Sequence, residues 1–264
     1  MDPELLNLLL VTLIAATLAD LSMILGVLPF FVVRDLSPRL SAIATAGAAG
    51  MMAAASLTQL TGEGLSRAPG LGAWEVAAGL AAGAGFYTLA ATWIRDHDDF
   101  DVLALRKTGG LQSIMIVAVM FIHSIPEGIA IGVAFGSGET GLGASVVSAL
   151  AVHNVPEAMA ITLALRANGV GLWKCMGWAL LTSLPQPIAA PIAAWMIWLF
   201  EPLLPFGLGL AAGAMTFLVV DEMLPESLER AGRQVVAGAF MVGVVLMIFL
   251  GRLVEIDQWW PLIG

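Results

Sequence analysis

The sequence predicts an all-α integral membrane protein with eight transmembrane helices, and three observations favour this class. Hydrophobic residues make up 59% of the chain and charged residues 12%, about half the charged share of a soluble domain. Several apolar runs reach the roughly 20 residues that a helix needs to cross a bilayer. The connections between these runs alternate between rich and poor in Lys and Arg, as expected when successive helices cross in opposite directions.

The eight apolar runs are separated by polar, Gly-containing or Pro-containing connections, which are typical of loops. Their predicted limits are 5–33, 40–60, 74–94, 111–135, 142–165, 175–200, 207–224 and 235–254. We expect these helices to form a single transmembrane domain over residues 1–264.

The first four helices each end at a polar segment. The charged stretch 34–39 follows the first helix, and a Gly- and Pro-containing loop over 61–72 follows the second. The longest polar segment, 95–110, follows the third helix, and a tight turn over 137–141 follows the fourth.

The last four helices are separated in the same way. A basic loop over 166–174 precedes the sixth helix, and a polar loop over 225–234 precedes the eighth. Pro185, Pro187 and Pro191 lie within the sixth helix. Because proline removes a backbone donor and clashes with the preceding turn, we expect the sixth helix to be interrupted.

The basic residues predict the orientation of the helices. The odd-numbered connections carry Arg34, Arg39, Arg95, Arg106, Lys107, Arg166, Lys174, Arg230 and Arg233, and the remaining positions carry only Arg67 and Arg252. Since cytoplasmic loops are enriched in Lys and Arg, we predict that the odd connections are cytoplasmic and that both termini lie outside. We expect a multi-pass protein of the plasma (inner) membrane, with the lipid bilayer as a partner.

Several classes of function are disfavoured by what the sequence lacks. No basic tail or aromatic-interleaved patch indicates a nucleic-acid partner, and no nucleotide-binding loop indicates ATP drive. The single cysteine, Cys175, excludes an intrachain disulfide and a CxxC metal site. No motif predicts an organic cofactor, and the sequence leaves open whether the protein forms a homodimer.

Two related nine-residue stretches, 123–131 and 153–161, carry the predicted chemistry. Both read His-(Ser/Asn)-(Ile/Val)-Pro-Glu-(Gly/Ala)-x-Ala-Ile, and each lies inside an apolar run, where ionisable side chains are costly and usually functional. A His and a Glu four residues apart share one face of a helix. Helices four and five are consecutive and therefore antiparallel, so these faces can meet. We predict a metal site formed by His123, Glu127, His153 and Glu157.

The predicted ligands narrow the choice of ion. Imidazole suits zinc and other divalent transition metals, whereas magnesium and calcium prefer oxygen ligands. The absence of thiolates argues against a closed structural site and allows faster release of the ion. We therefore expect Zn²⁺ or another divalent transition metal as a transported substrate.

A lone buried His is usually a hydrogen-bonded core residue, but the repeated spacing here favours a shared cation. Asp20 is interpreted with equal weight as a polar contact or as a pathway residue. Asp96, His97 and Asp98 are a candidate weak metal contact in the cytoplasmic loop, although a solvated loop is the favoured interpretation.

Two other classes of function remain as alternatives. An intramembrane zinc-dependent hydrolase needs an open coordination position and a separate general base, and no HExxH motif is present. A proton-coupled carrier of an organic solute would use His and Glu as a relay, and its transport would continue in the presence of a chelator.

The two motifs resemble those of the ZIP (Zrt/Irt-like) family of divalent metal transporters, and most closely its GufA-like, prokaryotic-type branch. The similarity extends to Ala48–Ser56 in helix two and Ala211–Glu226 in helix seven. It covers essentially the whole chain, including eight helices with outward termini.

The resemblance implies roles for several residues. The principal metal site corresponds to His123, Glu127, His153 and Glu157, with Met52 as a further ligand. Asp221 and Glu222 lie near the cytoplasmic end of helix seven, where solvation is the simpler account, but Glu222 also corresponds to the family's exit route.

This chain departs from the family pattern at a second metal position. Ser124 replaces a common Asn, Asn154 replaces an Asp found in some relatives, and Gln186 replaces a Glu. We therefore expect one occupied high-affinity site and at most weak binding of a second ion. The resemblance also implies alternating access, by an elevator-like shift of helices one, four, five and six, with uptake toward the cytoplasm.

Overall fold

The computed structural model describes residues 2–32, 37–68, 73–96, 110–167 and 169–255. Within these ranges it describes the side chains of all residues except 41, 93–96, 110–119, 122, 123, 164, 167 and 251–255. All regular secondary structure in the described ranges is helical, which confirms the all-α prediction.

The helices form eight segments along the described part of the chain. They are α1 Pro3–Val32, α2 Pro38–Arg67, α3 Ala73–Asp96, α4 Gly110–Gly136, α5 Thr140–Ala167, α6 Leu172–Leu199, α7 Glu201–Arg230 and α8 Arg233–Glu255. α1 is broken at Ser22 and Leu28, and α7 begins with a short 3₁₀ turn, Glu201–Leu203.

Six stretches within these segments are long and apolar enough to cross a membrane. These are Pro3–Val32, Pro38–Arg67, Thr140–Leu163, Leu172–Leu199, Glu201–Arg230 and Arg233–Leu250. Their number and composition support an all-α membrane protein, because about 20 apolar residues are enough to span the hydrocarbon core.

The sixth helix is interrupted where its first proline predicts. Leu172–Ser183 and Pro185–Leu199 are separate helices joined at Leu184. Pro185 therefore occupies the first turn of the second helix, where its missing N–H leaves no hydrogen bond unmade. Pro126 and Pro156, by contrast, lie inside continuous helices.

Two predicted helix ends are wrong. The second helix does not end at residue 60, and the seventh does not end at 224, since the helices continue to Arg67 and Arg230. Each passes through a π-helical stretch, Ala55–Leu60 in α2 and Val219–Met223 in α7. Polar composition suggested loops at these places, but polarity alone does not end a helix.

Ion pairs along the helix extend both of these ends. Arg67 Nε lies 2.7 Å from Glu63 Oε1, and Arg230 Nη1 lies 2.7 Å from Glu226 Oε1. Both pairs have the i, i+4 spacing that stabilises a helical turn by a few tenths of a kcal/mol. Charged residues that predicted a loop thus support the last helical turn.

Close contacts between small residues fix α4 against α6. A Cβ at Gly132 would collide with the Ala190 carbonyl, and a Cβ at Gly128 would lie 2.9 Å from the Gln186 Cα. Small residues let helix backbones approach in a membrane. This contact brings the Gln186 turn of α6 against the part of α4 that carries the HSIPEG sequence.

α1 approaches α5 in the same way. A Cβ at Gly26 would collide with the Val155 carbonyl and with Ala158. Met23 and Val27 of α1 belong to one buried apolar cluster with Ala158 of α5. The middle of α1 is therefore held against the part of α5 that carries the HNVPEA sequence.

Candidate metal centre

Three ionisable side chains from α4 and α5 converge in the interior. Glu127, His153 and Glu157 each place a ligand atom within 4.8 Å of the others. His153 Nε2 lies 3.3 Å from Glu127 Oε1 and 3.6 Å from Glu157 Oε2. We call these three residues the buried cluster, because their side chains are at most 5% exposed.

The cluster combines a local and a long-range relationship. His153 and Glu157 are four residues apart on α5, so helix geometry alone places them on one face. Glu127 comes from α4, and its approach depends on how the two helices pack. The structure therefore brings together three of the four residues for which the sequence predicts a metal site, and their role as ligands stays a prediction.

Electrostatics make this arrangement costly without a cation. Neither carboxylate oxygen of Glu157 accepts a hydrogen bond from a described residue, although both are buried. A buried charge is destabilising unless it is paired or coordinates a metal. Two carboxylates beside one imidazole are consequently suited to hold a positive ion.

His123 remains a prediction as the fourth ligand. Its backbone lies in α4, one helical turn before Glu127, but its side chain is outside those described. A residue four positions before Glu127 shares its helix face, so the backbone is compatible with the predicted role.

A buried amide of α6 contacts the Glu127 carboxylate, and a second buried amide, from α5, contacts the first. Gln186 Nε2 donates a hydrogen bond to Glu127 Oε2, and a longer one of 3.5 Å to Asn154 Oδ1. Asn154 Nδ2 donates to the Ala19 carbonyl of α1 at 2.7 Å and to Gln186 Oε1 at 3.4 Å. We call Gln186 and Asn154 the amide pair. It connects four helices around one carboxylate.

The third residue of the predicted second metal position behaves differently. Ser124 Oγ donates to the Met120 carbonyl of its own helix at 3.2 Å. Its hydroxyl thus satisfies a backbone group within α4, while the amide pair reaches across helices.

Met52 is buried in α2, with 2% of its surface exposed. It belongs to the main apolar cluster, which also contains Ala19 of α1 and Ala130 of α4. The burial of its thioether in this cluster fits packing, and its role as a metal ligand stays a prediction.

The remaining predicted residues lie elsewhere. Asp221 is exposed and Glu222 is partly buried, both in the π-helical stretch of α7. In the predicted cytoplasmic loop contact, His97 and Asp98 lie outside the described residues, and the side chain of Asp96 is not described. These assignments therefore stay predictions.

Sequence reasoning left Asp20 of α1 undecided, and the structure places it near the buried cluster. Asp20 is 7% exposed, and the carbonyl of the preceding residue, Ala19, accepts a hydrogen bond from Asn154, the neighbour of His153. The available signal was a single carboxylate within the apolar run of the first helix.

Comparison with known proteins gives a family match over more than half of the chain. The family described as "ZIP Zinc transporter" matches residues 96–251. A putative zinc transporter of Arabidopsis thaliana is 37% identical over 232 residues, which is 88% of this chain and 37% of that relative.

Two bacterial relatives are similar over shorter stretches. Zinc transporter GufA of Myxococcus xanthus is 37% identical over 53% of this chain and 57% of its own length. Zinc transporter ZIPB of Bordetella bronchiseptica is 35% identical over 52% of this chain and 44% of its own length. The matches thus span between 37% and 57% of these three relatives.

Proposed function

Because the chain belongs to the ZIP zinc transporter family, we propose that it carries a divalent transition-metal cation across a membrane, with zinc as the preferred candidate. The observation that carries this proposal is the buried cluster of two carboxylates and one imidazole on α4 and α5. The names of the relatives, all zinc transporters, support the choice of cation. The proposed activity is transport, not catalysis.

The spacing of the cluster supports binding of a single ion. Ligand atoms about 2.0–2.1 Å from a tetrahedral zinc lie about 3.4 Å from one another. The Nε2 atom of His153 is 3.3 Å from one glutamate and 3.6 Å from the other. We propose that Glu127, His153 and Glu157 bind the transported cation together with His123, with Met52 as a further ligand.

The ligand chemistry favours a cation that is carried and released. Imidazole and carboxylate suit zinc, iron, manganese and cobalt, while thiolate would favour tighter retention of soft ions. Cadmium is a further candidate substrate. Competition among these ions in a transport assay decides the order of preference.

The amide pair supports a site for one tightly bound cation. Where a second cation would need an anionic ligand, Gln186 presents an N–H group to the Glu127 carboxylate. An amide donor and a cation compete for the same carboxylate lone pairs. We propose that this hydrogen bond replaces a second tightly bound ion.

We propose an eight-span bundle in the plasma (inner) membrane with both termini outside. One contact supports this topology: Arg67 Nη2 at the end of α2 lies 2.9 Å from Glu139 Oε1 between α4 and α5. If successive helices cross in opposite directions and the N-terminus is outside, the α2–α3 and α4–α5 connections both lie on the outer side. The cytoplasmic excess of Lys and Arg in the other connections gives the same orientation.

The proposed mechanism is alternating access, in which α1, α4, α5 and α6 move together against the other four helices. The amide pair links these four helices around Glu127, which favours their movement as one unit. Inward transport follows the membrane potential, which contributes about 2.3 kcal/mol per elementary charge per 100 mV. A divalent cation therefore gains about twice that amount on moving inward.

Reconstituted protein provides the test. We expect proteoliposomes to take up radiolabelled zinc, and His153→Ala or Glu157→Gln to abolish uptake. Thr162→Val is the matched control, since Thr162 is also buried on α5 and lies outside the cluster. Unchanged uptake in both cluster variants would rule out the site. Uptake of an organic solute in chelator, or zinc-dependent cleavage without zinc flux, would favour the solute carrier or the hydrolase.

A further inference from the structure

We propose that Asp20 of α1 is an additional cation ligand, which forms with Glu157 a second, weaker position for the transported divalent cation beside the buried cluster. This inference rests on the proposed function and extends it to a helix that contributes none of the predicted ligands. Four observations carry it, one on position, one on burial, one on the neighbouring residues and one on charge.

The position of Asp20 follows from a hydrogen bond between helices. Asn154 Nδ2 of α5 donates to the carbonyl of Ala19, the residue before Asp20, at 2.7 Å. Glu157 lies three residues after Asn154, on the same face of α5. Asp20 and Glu157 consequently lie on turns of α1 and α5 that face each other at this contact.

Burial makes Asp20 unusual for a carboxylate. It is 7% exposed, and its Oδ1 atom accepts no hydrogen bond from a described residue. It also makes no ion pair with any residue in the described ranges. An ionisable side chain buried in a transmembrane segment usually marks an ion pathway or is paired with another polar group.

The surrounding groups are suited to a cation and not to an anion. The Ser183 hydroxyl of α6 lies beside the Asp20 carboxylate and is positioned to donate to it. Both oxygens of Glu157 lack hydrogen-bond partners among the described residues. These oxygens are the hard donors that divalent cations accept when water is partly removed.

The charge balance gives the reason for a second position. Glu127, Glu157 and Asp20 contribute up to three negative charges, and one divalent cation offsets two of them. A third uncompensated carboxylate in the interior is strongly destabilising. A cation that moves between the buried cluster and Asp20 lowers this cost at each stage of its passage.

The proposed position at Asp20 differs from the second metal position of the family pattern, which the amide pair occupies in this chain. Gln186 contacts Glu127, and Asn154 contacts Gln186, whereas Asp20 lies where α1 meets the turn of α5 that carries Glu157. The chain therefore has neutral amides on the Glu127 side of the cluster and an added carboxylate on the Glu157 side.

Cadmium binding to a cysteine variant tests the assignment directly. In a background that carries Cys175→Ala and Met52→Leu, so that neither native sulfur near the site can contribute, Asp20→Cys would place a thiolate at the proposed position, and Thr12→Cys is the matched control. Thr12 is also buried on α1, and its oxygen likewise lacks a hydrogen-bond partner among the described residues. It is eight residues away, about 12 Å along the helix.

We expect X-ray absorption of bound cadmium to show a sulfur neighbour in Asp20→Cys and none in Thr12→Cys. We also expect Asp20→Asn to raise the zinc concentration for half-maximal uptake by about tenfold or more. The affinity of the first bound zinc ion should be unchanged, and Thr12→Val should transport like the unmodified protein.

Two results would overturn the proposal. One is the absence of a cadmium–sulfur contact in Asp20→Cys, which is decisive even if Asp20→Asn does not fold. The other is zinc uptake by Asp20→Asn that equals that of Thr12→Val. If Glu157→Gln still abolishes uptake, only the role of Asp20 is wrong. If Glu157→Gln also transports normally, the proposed function itself fails.

Discussion

The side-chain amide of Gln186 donates a hydrogen bond to the carboxylate of Glu127, although the two residues are 59 positions apart. The contact joins α6 to α4 next to His153, which lies 3.3 Å from the other oxygen of the same carboxylate. Glu127 thus has an amide donor on one side and the imidazole of His153 on the other. The stoichiometry of metal binding should depend on this amide.

We predict that Gln186→Glu raises the number of tightly bound cadmium ions from one to two. The change replaces a donor by a carboxylate, so a second cation would be needed to offset the new charge beside Glu127. At a cadmium concentration 100 times the dissociation constant, the second ion would stabilise the variant by about 2.7 kcal/mol. Titration calorimetry and anomalous scattering measure the stoichiometry.

Gln59→Glu is the control for this change. Gln59 Oε1 accepts a hydrogen bond from Ser145 Oγ at 2.9 Å, and a carboxylate can accept the same bond. One bound ion in both variants would show that the amide does not set the stoichiometry.

A second prediction concerns His123. If its imidazole is the fourth ligand, His123→Ala should lower zinc affinity by about 10–100-fold or more. Removal of a group that only supports a metal ligand already costs about that much. The double variant with His153→Ala should lose less than the sum of the two single effects, because both residues bind one ion. Additive losses, or no loss in His123→Ala, would place that side chain outside the centre.

A third prediction tests the close contact of α4 with α6. Gly132→Ala should lower the free energy of unfolding by about 1–3 kcal/mol, since the new Cβ would meet the Ala190 carbonyl and force the helices apart. Gly177→Ala is the control, because nothing lies within 4 Å of a Cβ there. Thermal unfolding in detergent compares the two variants. Equal midpoints would show that this contact does not hold the helices together.

A fourth prediction concerns topology. In a Cys175→Ala background, a membrane-impermeant maleimide should label Glu139→Cys in intact cells and Lys174→Cys only after permeabilisation. Both positions are exposed, so a difference in labelling reports their side of the membrane. Labelling of Lys174→Cys in intact cells, with Glu139→Cys protected, would reverse the proposed orientation.

The ends of the second and seventh helices were predicted wrongly from the sequence, for a physical reason. The polar residues after residue 60 and after residue 224 predicted loops, yet the helices continue through π-helical stretches and are extended by ion pairs such as Arg67–Glu63. The composition shows where polar side chains begin along the chain. It does not show whether the helical backbone hydrogen bonds continue through these polar residues.

The sequence by itself determined the helical class and the spacing of His153 and Glu157, because both depend on local patterns. Apolar runs of sufficient length form spanning helices, and residues four apart always share a helix face. Only the tertiary structure decided that Gln186 contacts Glu127 and that the Asp20 turn of α1 meets Asn154 of α5. These contacts depend on the register between helices, which glycines such as Gly26 and Gly132 set through close backbone approach. Register arises from packing across the whole bundle, so no single stretch of sequence contains it.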